Sequence, residues 1–270
     1  MTDPIVKYGG GDLLTCHFGL WGPDTKSHYE SLLRANQTLT QECNLKPGQR
    51  ILDSGCGVGG MVIWLAETYK VQAIGLTNCE SHVAVATELA EQRGVGGLVE
   101  FHHGDFMDMP FPDACFDAVL NHESFCYAPD KHAYLQGVYR ILRPGGRWQA
   151  LEGLLSGVPL SEAHEAVHAS MQWGFRMPPL VTWSDARVAL EKAGFREVQE
   201  KNLSAEVAPS TEMTRKFWSW FGFLTPPPPG LDLAYHEFMG AALDFDKGLQ
   251  AGAFTYHFLS GTKPGQKSEE

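Results

Sequence analysis

The chain has 270 residues, with 21 Lys and Arg against 32 Asp and Glu, and a formal net charge of −11. Its 43% apolar content is that of a folded protein and excludes disorder for most of the chain. An acidic chain without a Lys/Arg cluster lacks the electrostatic footprint that a phosphate backbone requires, so nucleic acid is not expected as a partner.

Met1 to Gly10 lacks the cationic start and apolar run of a secretory signal, and no segment approaches the ~20 apolar residues of a membrane span. Cys16, Cys43, Cys56, Cys79, Cys115 and Cys126 are scattered, with no C-x-x-C pair. They read as reduced thiols of a cytoplasmic protein, not as a disulfide scaffold or a structural zinc site.

In chain order, residues 1–45 form an N-terminal helical cap and residues 46–155 the core of a single domain. Short apolar runs read as strands at Arg50–Ser54, Val71–Leu76, Leu98–His102, Phe116–Asn121 and Arg147–Leu151. Helical spacing lies between them at Met61–Tyr69, Glu80–Arg93 and Lys131–Leu142. Strands separated by helices imply a mostly parallel sheet with helices on both faces, a Rossmann-like α/β layout. Ser161–Gln172 and Thr182–Ala193 follow as helices, the second with a Thr or Ser cap and a stop at Gly194. Arg196–Glu206 and Ala253–Ser260 read as an antiparallel pair of late strands at the sheet edge, which brings the count to seven. Helices from Ser210 to Phe223 and on to about Leu249, joined by Thr225–Gly230 (TPPPPG), lie between those strands. Residues 156–181 and 207–250 are accordingly expected to form a helical lid.

The strongest local signal is Leu52-Asp-Ser-Gly-Cys-Gly-Val-Gly-Gly60, in which Gly55, Gly57 and Gly59 follow a strand and open a helix. Its G-x-G-x-G spacing differs from the dinucleotide G-x-G-x-x-G and suits a ligand without a pyrophosphate. The second strand ends in Gly75-Leu-Thr-Asn78, the third in Gly104-Asp-Phe106 and the fourth at Asn121. All fall at C-terminal strand edges, where open parallel sheets bind ligands.

This set resembles the class I S-adenosylmethionine-dependent methyltransferases over residues 50–150. The resemblance implies that the loop with Asp53, Gly55, Cys56, Gly57 and Gly59 holds the methionine part of S-adenosylmethionine. It places the ribose at Thr77 and Asn78 and the adenine at Asp105 and Phe106, with Asn121 completing the cofactor site. Most of the family has Asp or Glu at the end of strand two. The neutral Thr77-Asn78 is similar instead to a subgroup that methylates alkenes and lipids, in which His82 falls where Gln is frequent.

Leu120-Asn-His-Glu-Ser-Phe-Cys-Tyr-Ala-Pro-Asp130 is similar to the matching segment of sterol and prenyl-diphosphate C-methyltransferases, which also carry a Glu at the place of Glu123. Tocopherol, cyclopropane-forming and some sugar O-methyltransferases share that Glu, so it does not select the substrate. A carboxylate there can stabilise a carbocation and take the adjacent proton. Glu152, at the end of strand five, is the second acidic candidate, and His122 is an alternative base. The implied activity is C-methylation of an isoprenoid alkene (prenyl diphosphate, terpene or sterol). N- or O-methylation of a small natural product is the alternative.

Tyr8, Phe18 and Trp21 before the core, and Trp173, Trp218 and Phe221 in the helical additions, are candidates to line a large apolar substrate. A diphosphate substrate would require cations and Mg2+, and Arg176, Arg187 and Arg215 lie in those additions. Otherwise no metal is expected. His164-Glu-Ala-Val-His168 matches H-E-x-x-H, but without a downstream third ligand it reads as a chance match. A homo-oligomer is compatible with all of this.

Overall fold

The computed structural model describes residues 11–221 and 232–265. Tyr8, the 225–230 linker and the side chains of Trp218 and Phe221 lie outside what is described. Seven strands form one sheet in the order β3-β2-β1-β4-β5-β7-β6. They are β1 (Arg50–Ser54), β2 (Gln72–Thr77), β3 (Val99–His103), β4 (Phe116–His122), β5 (Leu142–Leu155), β6 (Arg196–Asn202) and β7 (Phe254–Thr262). β1 to β5 run parallel, and β7 lies antiparallel between β5 and β6.

The central strands are buried on both faces, which explains their unbroken apolar runs. Ile51 points into one core with Leu32, Ala35 and Leu39 of α1 (His28–Thr40) and Val62 and Leu65 of α2 (Gly60–Tyr69). Leu52 points into the other, with Tyr134, Leu135 and Val138 of α4 (Lys131–Ile141) and Leu190 of α6 (Trp183–Ala193). Between them in sequence, α3 (Glu80–Gln92) covers the β2–β3 edge. Burying both faces fixes the direction and height of the strand ends, and the site hangs from those ends. Thr182 and Asp185 form a reciprocal capping box on α6, and Gly194 ends it in the left-handed conformation.

Several boundaries differ from the expectation. Among the described residues the N-terminal cap contains one α-helix, α1. A 3-10 turn at Gly11–Leu13 and an extended strap precede it. β5 begins at Leu142, not Arg147, because Leu142 pairs with Phe116 before a register shift. β6 stops at Asn202, whose Oδ1 accepts the Ser204 N–H at 2.9 Å and starts α7 (Ser204–Phe221) ahead of the expected Ser210. Pro209 lies inside α7, at the loss of one backbone hydrogen bond. α5 (Glu162–Phe175) and α8 (Asp232–Gln250) pack closely at Gly174, where a Cβ would lie 2.3 Å from the Glu237 carbonyl oxygen.

Candidate active site

The glycine loop leaves β1 and turns onto α2. Gly55 needs its left-handed φ of +99° and lies against Ser124, since an added Cβ would fall 2.6 Å from the Ser124 Cβ. Gly57 has nothing within 4 Å of the corresponding position, so the backbone is open to a ligand there. The N–H groups of Gly55 and Cys56 both reach the Leu76 carbonyl, at 2.9 and 3.0 Å, and clasp the loop to the end of β2.

Asp53 is 2% exposed, and its Oδ1 has no partner. Burial pushes its carboxyl up to about 7. Thr77, at the end of β2, is buried, its Oγ1 accepting the Cys79 N–H at 3.3 Å, while Asn78 is exposed. Nδ1 of His82 is enclosed without a partner. Asp105 stays exposed and caps the following 3-10 turn through the Met107 N–H at 2.8 Å. The Phe106 ring meets the Tyr134 ring edge-on at 5.0 Å.

Asn121 departs from its expected cofactor role. It is fully buried and all four of its hydrogen-bonding positions are taken within the protein. Nδ2 donates to the Ser54 carbonyl and to Ser124 Oγ, at 3.0 and 2.8 Å. Oδ1 accepts from the Tyr134 hydroxyl and the Trp148 Nε1, both at 2.7 Å. Asn121 therefore ties β4 to β1, β5 and α4, and its side chain has no hydrogen-bonding position left for a cofactor.

Glu123 is the first residue past β4 and holds a left-handed φ of +52°, an uncommon conformation for a side chain of this size. Its N–H donates to the Leu151 carbonyl at 2.9 Å. Oε1 accepts from the Phe18 N–H at 2.9 Å and the Tyr256 hydroxyl at 2.8 Å. Protein surrounds the carboxyl, yet part of the residue stays accessible, as a group that must meet substrate requires. Burial pushes it up to about 8; the two donors oppose this and nearby Glu152 adds to it.

Glu152 is 2% exposed, and burial raises it to about 7. Its Oε2 accepts the Cys126 N–H at 2.9 Å and its Oε1 the Gly153 N–H at 3.1 Å, so it braces the loop that carries Glu123. The same loop is held from its other side by buried Lys131, which donates to the carbonyls of Cys126 and Ala128.

His122 stacks on His17 with ring centroids 3.4 Å apart, and neither of its ring nitrogens has a partner. Burial and the neighbouring imidazole push His122 well below its usual range, and burial takes His17 down to about 4. Both rings are neutral at physiological pH. The strap that carries His17 crosses the whole site. Its Leu13 and Leu14 carbonyls lie against Gly60, and its Phe18 ring stacks on Phe245 at 5.5 Å. Ser210 of α7 anchors it, accepting from the Gly19 N–H at 3.1 Å and Trp21 Nε1 at 2.9 Å and donating to the Gly19 carbonyl.

The structure thus brings Glu123, Glu152, His122 and Phe18 together. Trp21 serves the strap's anchor, and Trp173 lies on the outside, 64% exposed, bonded to Glu237 and covered by Arg176. Arg176, Arg187 and Arg215 are each engaged in ion pairs, with Glu237, Glu191 and buried Asp246 respectively. His168 Nε2 accepts the Leu180 N–H at 3.2 Å, which ties the middle of α5 to the segment that follows the helix. Among the described residues no group of three or more His, Cys, Asp or Glu could hold a metal ion. Sequence reasoning missed Tyr256 and Ser210. Neither belongs to a motif, and only alternation along β7 marked Tyr256 as facing inward.

Residues 52–148 match the family model described as "Methyltransferase domain". The cycloartenol-C-24-methyltransferase of Arabidopsis thaliana is 32% identical over 209 residues, covering 76% of this chain and 61% of that protein. The chain carries a methyltransferase domain related to the sterol C-24 methyltransferases. It spans about 61% of that relative's length. The methyltransferase fold extends beyond residues 52–148. The crystal structure of the [4+2]-cyclase SpnF superposes with a TM-score of 0.78 at 22% identity, covering 93% of this chain and 88% of that one. Geranyl diphosphate C-methyltransferase from Streptomyces coelicolor A3(2), in complex with Mg2+, geranyl-S-thiolodiphosphate and S-adenosyl-L-homocysteine, superposes with a TM-score of 0.74 at 16% identity, covering 92% and 87%. Among the described residues no helix is long and apolar enough to cross a membrane.

Proposed function

We propose that the protein is an S-adenosylmethionine-dependent methyltransferase that C-methylates the alkene of an isoprenoid. The observation that carries this reading is Glu123, a carboxyl raised to about 8 on a partly accessible residue, at the end of β4 one strand from the glycine loop and beside the Phe18–Phe245 stack. Relatedness to a sterol methyltransferase over 76% of the chain supports it.

The residues present fit the cofactor. Asp53 is an orphaned buried carboxyl, Gly57 is open, and Thr77, His82, Asp105 and Phe106 follow along the same sheet edge. S-Adenosylmethionine, when bound, supplies an electrophilic methyl group, and an alkene that accepts it is left with a cationic carbon. Positive charge near Glu123 favours its ionised form over the protonated one. The ionised carboxylate stabilises the cation and takes the neighbouring proton, which restores a double bond. Phe18, Phe245 and Tyr256 present aromatic surface, each cation–π contact contributing about 0.5–2 kcal/mol. The strap and α7 keep water from the cation.

Within the isoprenoids the ion pairs of Arg176, Arg187 and Arg215 favour an uncharged alkene, sterol-like or terpene-like, over a diphosphate. The second reading, N- or O-methylation of a small acceptor, draws on His122, a neutral imidazole with both nitrogens free beside Glu123.

Incubation with methyl-labelled S-adenosylmethionine against sterols, terpenes, prenyl diphosphates and small amines, with mass spectrometry and NMR of the product, tests the reading. A new C–CH3 on an isoprenoid supports it, and label on nitrogen or oxygen alone sinks it.

A further inference from the structure

The hydrogen bonds to Glu123 are distributed unevenly between its two oxygens. Tyr256 and the Phe18 N–H both meet Oε1, and none of the described hydrogen bonds reaches Oε2. The two donors come from opposite ends of the chain. Phe18 lies in the strap, and Tyr256 lies on β7, paired with Gly153 of β5.

Tyr256 is 1% exposed, and its hydroxyl is spent on Glu123. Its backbone is fixed separately, the N–H by Ser204 Oγ at 2.9 Å and the carbonyl by the Leu203 N–H at 2.7 Å. Burial and the neighbouring acids hold the phenol well above its usual range, so it keeps its proton and donates. A backbone N–H also can only donate. Two donors on one oxygen stabilise the ionised carboxylate and lock its plane.

We infer that Tyr256 is a positioning residue which, with the Phe18 N–H, anchors Oε1 of Glu123 and leaves Oε2 as the oxygen that receives the substrate proton. The inference rests on the assignment of proton removal to Glu123 and deepens it. In that step the C–H bond next to the cationic carbon breaks and its electron pair forms the new double bond. The proton forms an O–H bond with Oε2, and no oxidant or further reactant is needed. Among the groups around the carboxyl, His17 and His122 are neutral over the pH range in which it titrates. Glu152, Cys126 and Tyr127 are the other ionisable groups near it, and Lys131 stands beyond Glu152.

Tyr256→Phe keeps the ring and removes only the donor. In the ligand-free full chain with 13C-carboxyl-labelled glutamate, the Glu123 resonance, identified by its loss in Glu123→Gln, is expected to titrate higher in the variant than in the parent. A rise of about one pH unit lowers the ionised fraction at pH 7 about tenfold. The variant's kcat at pH 7 is then expected to fall about tenfold with KM little changed, and to recover as pH rises. If Tyr256→Phe does not fold, 3-fluorotyrosine incorporation, which strengthens the phenol as a donor, is expected to move the midpoint down.

An unchanged midpoint, or a kcat loss of the same size at every pH, overturns the role given to Tyr256. Full activity in Glu123→Gln overturns instead the assignment of proton removal on which the role of Oε2 rests. The titration needs no substrate, so the two failures are told apart.

Discussion

The two halves of the sheet edge treat buried carboxyls in opposite ways. On the β1–β3 side Asp53 is enclosed with an unpartnered oxygen, and Asn78 and Asp105 stay exposed. On the β4–β7 side Glu123 has two donors on one oxygen and Glu152 has a donor on each. The first side is a set of short local motifs left unsatisfied, as expected where a ligand supplies the missing partners. The second is drawn from the strap, the β4 loop, β5 and β7, and its two carboxyls already hold donors before anything binds, as expected of preorganised catalytic groups. Both raise carboxyls by burial, but only the second holds them in place with donors.

The sharpest way to break this contrast is Glu123→Gln. Turnover is expected to fall by ~10²–10⁴-fold, as for loss of a general base. S-Adenosylmethionine affinity by calorimetry stays within about threefold, because cofactor and base belong to different halves; each tenfold change corresponds to about 1.4 kcal/mol. A comparable loss of affinity would erase the division.

Asn121→Ala comes next. It leaves Trp148 Nε1 without a buried partner and takes one of two partners from Tyr134 and from Ser124, which both keep Ser54, so unfolding in urea is expected to show a loss of about 2–4 kcal/mol. A change under about 1 kcal/mol would mean that the two halves are not tied through this residue.

Asp53→Asn then tests the unsatisfied half. Asp53, Glu123 and Glu152 have folded-state values of about 7, 8 and 7, above the ordinary carboxylate range. The folded protein therefore binds extra protons, and its stability falls as pH rises from about 4 to about 8. Asn in place of Asp53 removes one share of that slope. The ligand-free protein is expected to gain about 2–4 kcal/mol at pH 8 and almost nothing at pH 4, read from thermal unfolding at the two pH values. Cofactor binding is expected to weaken about tenfold, because the cationic ligand loses its carboxylate. A variant that gains no stability at pH 8 would show that Asp53 is not strained when ligand-free.

The smallest effect belongs to Trp173→Ala. Its ring is 64% exposed and held by Glu237 and Arg176, so stability and kcat are expected to change within about 0.5 kcal/mol. A tenfold rise in KM for an isoprenoid would bring this tryptophan back into the substrate path.

How much could be read in advance followed the range of the interactions. The glycine loop, the β1–β5 order and the α6 caps are encoded by neighbours in sequence, and the structure places them within a few residues of expectation. Short-range hydrogen bonding also moved the boundary between β6 and α7, through Asn202 and Ser204, because an Asn at a strand end competes for the next N–H. The structural bonds of Asn121 were not legible in the sequence because its partners Ser54, Tyr134 and Trp148 come from three other elements.

The acidic charge and aromatic content acquire their meaning in the same way. The sequence by itself determined the parallel sheet, the open turn at Gly57 and the position of Glu123 past β4, because strand periodicity, glycine and motif spacing act over a few residues. Only the tertiary structure decided that Phe18 and Tyr256 share one oxygen of Glu123, that His17 stacks on His122, and that Trp173 faces outward. Those contacts join residues as many as 133 positions apart, and chain folding selects them by burial and donor geometry that no local pattern carries.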